Sequence, residues 1–486
     1  MKSHSLRRLL SSSATYAIAN LLQRGMMLIL LPLYARHFSK AEFGAMDMLY
    51  QGILVLALLS SLGMPQGLPR GLYREGTTEE DSRRLIGVLT VFVLPVTVLL
   101  FVCIWVFSGA IATLLFNNQG EEQWIRLAGA LFVAMVLQQY PLQILKAHQQ
   151  ALEYSLWSIG TFVLASAGNV YLIAFKQIGL SGMLIGNSVG FGLMGLLACW
   201  RCRSYIRWNT DWSRLRPLLA FGLPMMPALL GRKVLEVSDR YMLPHYHTLD
   251  ALGDYVMAAK VSNIVEVLVL TPFLFAWQPF FYSIAKRAEA KAIFARVTLF
   301  FVSVAAVVFM VLYIVHDELL RFIGNGQYND ASPVILVLVL TALVNGVQYT
   351  ISPGIHIASK LPQESGLMLT AAALNIGLNF LLIPPYGAVG AAVATLLSYL
   401  AYLVSTFVLA QTHFRIAYHW RRMTWVFCTA VVAVGCMAAF RSPLVQVFFL
   451  LCFLLVGPGV DIYRHERDLL TKLWQRIHPD RRGASG

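Results

Sequence analysis

Apolar runs about 20 residues long recur from end to end of the chain, separated by short polar joints. A helix of that length covers a hydrocarbon core about 30 Å thick. The pattern predicts fourteen membrane spans, roughly 14–35, 44–65, 86–107, 126–145, 154–174, 180–200, 217–243, 253–276, 294–315, 332–354, 365–383, 387–409, 422–440 and 443–463. The first run follows Lys2, Arg7 and Arg8, as a signal peptide would, but Arg24 interrupts it and "LLPLYARHF" offers no small-residue cleavage site. It reads as a retained first helix. The expected fold class is an all-α polytopic membrane protein with no separate soluble domain.

Internal repetition organises these spans. "LLQR" at 21–24 returns as "LLGR" at 229–232, and "EFGAMDM" around Gly44 answers "LGDYVMA" around Gly253. Gln139 and Tyr140 match Gln348 and Tyr349, Asn169 matches Asn379, and "GLSG" at 179–182 matches "GAVG" at 387–390. Each match is weak alone, but the offset stays between 208 and 210 residues. The expected organisation is therefore a six-helix lobe over 1–204, a basic linker over 205–216, a second six-helix lobe over 217–412, two further spans within 413–463 and a basic tail over 464–486. Six spans per copy is even, so both copies enter the membrane from one side and a pseudo-twofold axis along the membrane normal relates them. Two such bundles can rock against each other around a central cavity.

Composition agrees with the pattern, since 58% of the residues are hydrophobic and 13% charged, against about 25% charged in an average soluble protein. Most of the 38 Lys and Arg fall at the two termini and in the joints on their side. The opposite joints hold only Arg36, Lys40, Arg126, Lys176, Arg321 and Arg441. Basic residues mark cytoplasmic joints, so both termini are expected in the cytoplasm. The net charge of +14 is then a topology signal, and no nucleic-acid partner is expected. "CWRC" at 199–202 has redox spacing but closes a membrane helix without a second ligand pair. No disulfide, metal, cofactor or catalytic residue is expected.

Five basic residues remain inside or at the edges of spans: Arg24, Arg232, Lys233, Arg240 and Lys260. A charge at mid-bilayer costs at least about 2.5 to 3.5 kcal/mol, so these side chains face other helices or water rather than lipid. Arg232, Glu236 and Arg240 follow each other at i, i+4 and i+8 on one helix face, with Lys233 and Asp239 beside them. The repeat places Arg24 and Arg232 at equivalent depths on opposite walls, and Lys260 adds a third cation. A cationic cavity formed by Arg24, Arg232, Lys233 and Lys260 suits an anionic substrate, because Arg offers a planar fork to phosphate or carboxylate oxygens. Glu236, Asp239 and Glu266 are the acids available for coupling to a proton or sodium gradient. The alternative is that these charges only pair with one another inside the bundle. Gln139, Tyr140, Gln348 and Tyr349 either line the cavity or bond across helices, as do Asn375 and Asn379. Pro224 and Pro227 are expected to bend span seven. The linker "RCRSYIRWNTDWSRLR" and the tail mix basic and aromatic residues, as do segments that rest on anionic headgroups and also ordinary cytoplasmic joints.

Three stretches carry a resemblance: "LLQRGMMLILLPLYARHFSKAEFGAMDML", the span-seven and span-eight segment containing "DRYML" and "LGDYVMAAK", and "IPPYGAVGAAVAT". They resemble the Wzx-type polysaccharide repeat-unit flippases of the multidrug/oligosaccharidyl-lipid/polysaccharide (MOP) exporter superfamily, over nearly the whole chain. The resemblance implies fourteen helices in two lobes. It also implies transport of an oligosaccharide on undecaprenyl pyrophosphate to the periplasmic leaflet, for O-antigen or exopolysaccharide synthesis. Membrane lipids, a polysaccharide polymerase and a chain-length regulator are the implied partners. The lipid II flippase and the multidrug antiporters of the same superfamily stay open as alternatives. A polytopic glycosyltransferase or polymerase would need a larger extramembrane segment or a catalytic acid motif than the joints 108–125 and 316–331 provide.

Overall fold

The computed structural model describes residues 29–64, 68, 72, 78–116, 121–208, 211–440 and 442–456, which contain helices and no strand. The first half comprises α1 (29–37), α2 (Lys40–Ser61), α3 (Glu79–Val106), α4 (Ser108–Phe116), α5 (Glu122–Ala147), α6 (Ala151–Phe175) and α7 (Gly179–Cys202). The second comprises α8 (Leu215–Tyr246), α9 (Leu249–Ile284), α10 (Ala290–Gly324), α11 (Ser332–Ile351), α12 (Leu361–His413), α13 (Trp420–Ala439) and α14 (Pro443–Val456). Among the described residues ten helices are long and apolar enough to cross a membrane, and α8 makes an eleventh if its bent pair is one span. Helix α12 holds two predicted spans, because its 53 residues break at Gly387, where φ is 53° and ψ −130°. The chain folds back there, so that Asn375 on the first arm reaches Thr395 on the second.

Only the end of the first predicted span lies among the described residues, and Arg24 lies outside them, as does the basic tail. One predicted joint is itself structured. Residues 108–125 contain α4, an apolar stretch "SGAIATLLF" that forms a helix of nine residues, too short to cross a bilayer. Helix α8 bends by 46° between Ala220 and Gly222. Pro224 explains the position, since its ring clashes with the carbonyl four residues earlier, that of Ala220.

Equivalent positions of the two halves adopt equivalent local structure. Ser39 caps α2 by accepting from the Glu42 amide, and Thr248 caps α9 by accepting from the Ala251 amide. Gly179 opens α7 with φ at 61°, while Gly387 opens the second arm of α12 with φ at 53°. Both turns need a left-handed residue that only glycine adopts without strain.

The halves meet where α2 crosses α9, and the crossing is centred on the matched glycines. A Cβ on Gly44 would stand 3.0 Å from the Gly253 nitrogen, and one on Gly253 would stand 2.2 Å from the Lys40 carbonyl oxygen. In lipid, helices gain little from apolar contact itself, so small residues that let backbones close up are the means of tight association. Lys40 adds ion pairs to Asp254 at 3.0 Å and Asp330 at 3.7 Å. At the opposite membrane face the end of α2 meets the start of α8, where a Cβ on Gly222 would lie 2.7 Å from the Leu62 carbonyl oxygen. Arg214, just before α8, pairs there with Asp81 on α3 at 2.9 Å.

Candidate functional site

Helix α8 carries its charges into the middle of the protein, and the two arginines eight residues apart have different surroundings. Arg240 is held by acids. Its Nε donates to Asp47 on α2 at 2.6 Å, and its Nη1 reaches Asp239 at 3.3 Å and the Glu236 carbonyl. Lys260 on α9 donates to the other oxygen of Asp47 at 2.5 Å. The Tyr255 hydroxyl donates to Asp239, and the Tyr255 ring lies 5.8 Å from the Arg240 guanidinium. Asp47 and Asp239 are each 1% exposed. Two acids and two bases thus form a buried, charge-balanced cluster that ties α2 of the first half to α8 and α9 of the second. Burying one of these ions alone would be prohibitive, and the pairing removes that cost.

Arg232 is different. Its Nη1 donates to the Tyr349 hydroxyl at 3.1 Å, and among the described residues no carboxylate lies within ion-pairing distance. It stands between two cavities. One, of about 390 Å³, lies between the halves, with Gln139, Tyr140 and Gln143 on one side and Arg232 and Lys233 on the other. The second, of about 360 Å³, lies within the second half and is lined by Arg232, Tyr349, Gln278, His356 and Glu364. A guanidinium keeps its charge without a carboxylate, and Arg232, which lines both cavities, has N–H groups that can bind an anion there.

The predicted site residues divide accordingly. Gln139, Tyr140, Arg232 and Lys233 share the larger cavity, and Tyr349 joins Arg232 at the smaller one. Tyr140 also reaches Thr90 at 2.6 Å and donates to the Ile86 carbonyl, so one side chain both lines the cavity and ties α5 to α3. Gln348 is buried and donates to Glu364 and Tyr402, linking α11 to α12. Glu236 pairs with Lys233 at 2.8 Å along the same helix. Asp239 and Lys260 belong to the buried cluster, although Lys260 and Asp47 also border a third cavity, of about 140 Å³, that the first half lines together with Lys260 and Asn263 of α9. Glu266 opens a π turn, Glu266–Leu270, in the middle of α9. Asn375 and Asn379 bond to each other at 3.1 Å and to Ser238 on α8. In the first half Asn169 bonds likewise to Tyr34 on α1 and Asn187 on α7.

Asp47, Gln143, Tyr255, Gln278, His356 and Glu364 belong to the site without being singled out from the sequence. Asp47 sits near the start of its span, where an acid looks interfacial, and its partners are 193 and 213 residues away. Glu364 and His356, 3.4 Å apart, flank the joint between α11 and α12 and read as loop residues. The remaining signal for Asp47 was its isolation, as the one acid in the run from Phe43 to Ser61.

This architecture is shared with known transporters. The lipid II flippase MurJ, in an inward closed conformation, superposes with a TM-score of 0.69 at 16% identity, covering 94% of this chain and 99% of that one. A MATE family multidrug resistance transporter of the MOP superfamily, facing inward, superposes with a TM-score of 0.63 at 14% identity, covering 82% of this chain and 97% of that one. At these identities the likeness concerns the fold alone. In sequence, the probable low-salt glycan biosynthesis flippase Agl15 of Haloferax volcanii is 20% identical, covering 96% of each chain. Each of these three is described as a flippase or transporter, and none as an enzyme. Residues 9–285, more than half of the sequence, match the family model of the polysaccharide biosynthesis proteins, and the chain belongs to that family.

Proposed function

We propose that the protein is a flippase for lipid-linked oligosaccharides, moving undecaprenyl-pyrophosphate-linked repeat units from the cytoplasmic to the periplasmic leaflet of the inner membrane. The glycan would serve a surface polysaccharide such as O-antigen or an exopolysaccharide, with a polymerase and a chain-length regulator acting downstream. The observation that carries this reading is Arg232, a guanidinium without a carboxylate partner among the described residues, standing between two cavities beside Lys233. A pyrophosphate diester supplies the charge and the paired oxygens that such a group accepts. Gln139 and Gln278 offer amide groups for sugar, and Tyr349 steadies the guanidinium.

In this reading residues 1–204 and 217–412 act as two lobes that open alternately, with both termini in the cytoplasm and Arg24 facing Arg232 across the cavity. Entry would follow parting of the α2 and α8 contact near Gly222, and release would follow parting of the α2 and α9 crossing. Glu236, Asp239 and Glu266 are the acids proposed for coupling to a proton or sodium gradient. Full transport by Glu236→Gln and Glu266→Gln with unchanged gradient dependence would remove those two from that role.

The test is the pool of undecaprenyl-pyrophosphate oligosaccharide facing the cytoplasm, in cells lacking the protein and in cells carrying Arg232→Gln. Build-up in both, with surface glycan lost, is expected. Build-up in the deletion alone would keep the flippase and remove Arg232 from the transport step. No build-up in either would refute the substrate and turn attention to lipid II or a drug.

A further inference from the structure

A fourth cavity lies apart from Arg232. It is a slot of about 280 Å³ between α3, α5 and α7 on the flank of the first half. Its walls are almost wholly apolar, formed by Val93, Leu94, Val136 and Leu137, and Leu94 is exposed on the outer surface. Arg203 and Trp208 also line it, and Arg203 is its one charged residue. These two belong to the linker that follows α7, where the chain leaves the membrane. The Arg207 amide donates to the Arg83 carbonyl at 3.1 Å, which fixes this linker over the first turns of α3.

Three neighbouring cations, Arg201, Arg207 and Arg214, are already committed. Arg201 pairs with Glu153 at 2.6 Å, Arg207 with Glu80, and Arg214 with Asp81 and Asp211. Arg203 has no carboxylate partner among the described residues. Its guanidinium instead lies 4.7 Å from the exposed Trp200 ring, and Trp208 is 71% exposed. Indole rings of this kind settle at the headgroup level of a bilayer, with basic side chains reaching phosphates there. An apolar slot open to the bilayer, lined at headgroup level by one uncommitted cation, is complementary to a single amphiphile. Its hydrocarbon chain fills the slot and its phosphate meets Arg203.

We propose that this slot is a binding site for an anionic phospholipid of the surrounding leaflet. The position of Arg203 favours a bilayer phospholipid over the carrier lipid, whose phosphates would have to reach Arg232. The site touches the transport pathway through one partition, because Val93, Val136 and Tyr140 line both the slot and the larger cavity. A lipid chain there would brace Tyr140 from behind. The inference concerns lipid binding and does not depend on the identity of the transported glycan.

Cys199 lines the slot and serves as a native reporter. The full-length protein in detergent is titrated with phosphatidylglycerol or with phosphatidylcholine of the same chains, and alkylation of Cys199 by N-ethylmaleimide is followed by peptide mass spectrometry. Phosphatidylglycerol is expected to slow alkylation at lower concentration than phosphatidylcholine. Arg203→Gln should weaken that protection about fivefold, the effect of one basic side chain at the headgroup, and weaken the phosphatidylcholine response less, because choline offsets the charge of its phosphate. Equal protection by both lipids, no protection by either, or an Arg203→Gln protein that responds like the parent would each overturn the site. Protection by undecaprenyl phosphate but not by phosphatidylglycerol would also overturn it and assign the slot to the carrier lipid.

Discussion

Arg232 and Asp47 are both charged side chains placed within membrane helices, but a substitution at each should have opposite consequences. Asp47 is 1% exposed and neutralises Arg240 and Lys260 together. Asp47→Asn would leave two buried cations with one remaining acid, and breaking a buried pair costs about 3 to 5 kcal/mol. A clearly lowered melting temperature in detergent is expected, with partial recovery when Lys260→Met is added to the same chain. A melting temperature equal to that of the parent would mean that the cluster does not hold the halves together. Arg232→Gln removes a charge that balances no acid among the described residues, so it should melt close to the parent while losing transport. Arg232→Lys keeps the charge without the fork and should retain part of the activity. The arginine was legible in the sequence because a cation inside an apolar run is conspicuous. The grouping of Asp47 with Arg240 and Lys260 was not, because it joins residues from both halves of the chain and no local pattern encodes which distant cation an acid will meet.

At the scale of elements, the crossing of α2 and α9 is the most demanding contact between the halves. A methyl group on Gly253 would meet the Lys40 carbonyl oxygen at 2.2 Å, whereas one on Gly44 would have 3.0 Å to its nearest neighbours. Main chain cannot rotate aside as a side chain can, so Gly253→Ala should cost about 1 to 3 kcal/mol, as overpacking does, and Gly44→Ala less. Melting of the two variants orders them, and equal stability would mean that the helices part easily here. Most spans could be placed from hydrophobic length alone, and the repeat pointed to the glycines that meet. Features set by local backbone bonding were invisible: α4 lies inside a predicted joint, and the π turns Tyr171–Phe175 and Glu266–Leu270 leave no mark on hydropathy. The bend in α8 was expected from Pro224, which acts through covalent geometry and needs no partner.

At the scale of the whole molecule, the halves touch at both membrane faces while the larger cavity lies between them. Lys40 and Asp254 span one contact, and Asp81 and Arg214 span the other. Transport by alternate opening requires each contact to break in turn. A chain without its native cysteines, carrying Lys40→Cys with Asp254→Cys, should therefore lose transport when a short bifunctional thiol reagent joins that pair. The same should hold for Asp81→Cys with Arg214→Cys, and the singly substituted proteins should stay active after treatment. The two links should stop the cycle at different stages: closing the first blocks release and leaves the cavity reachable from the Asp81 side, while closing the second blocks entry. A small thiol reagent directed at Gln139→Cys, on the wall of the larger cavity, distinguishes the two arrests. Undiminished transport with either link in place would refute alternate opening of the halves, even though the residues lining the cavity would be unchanged.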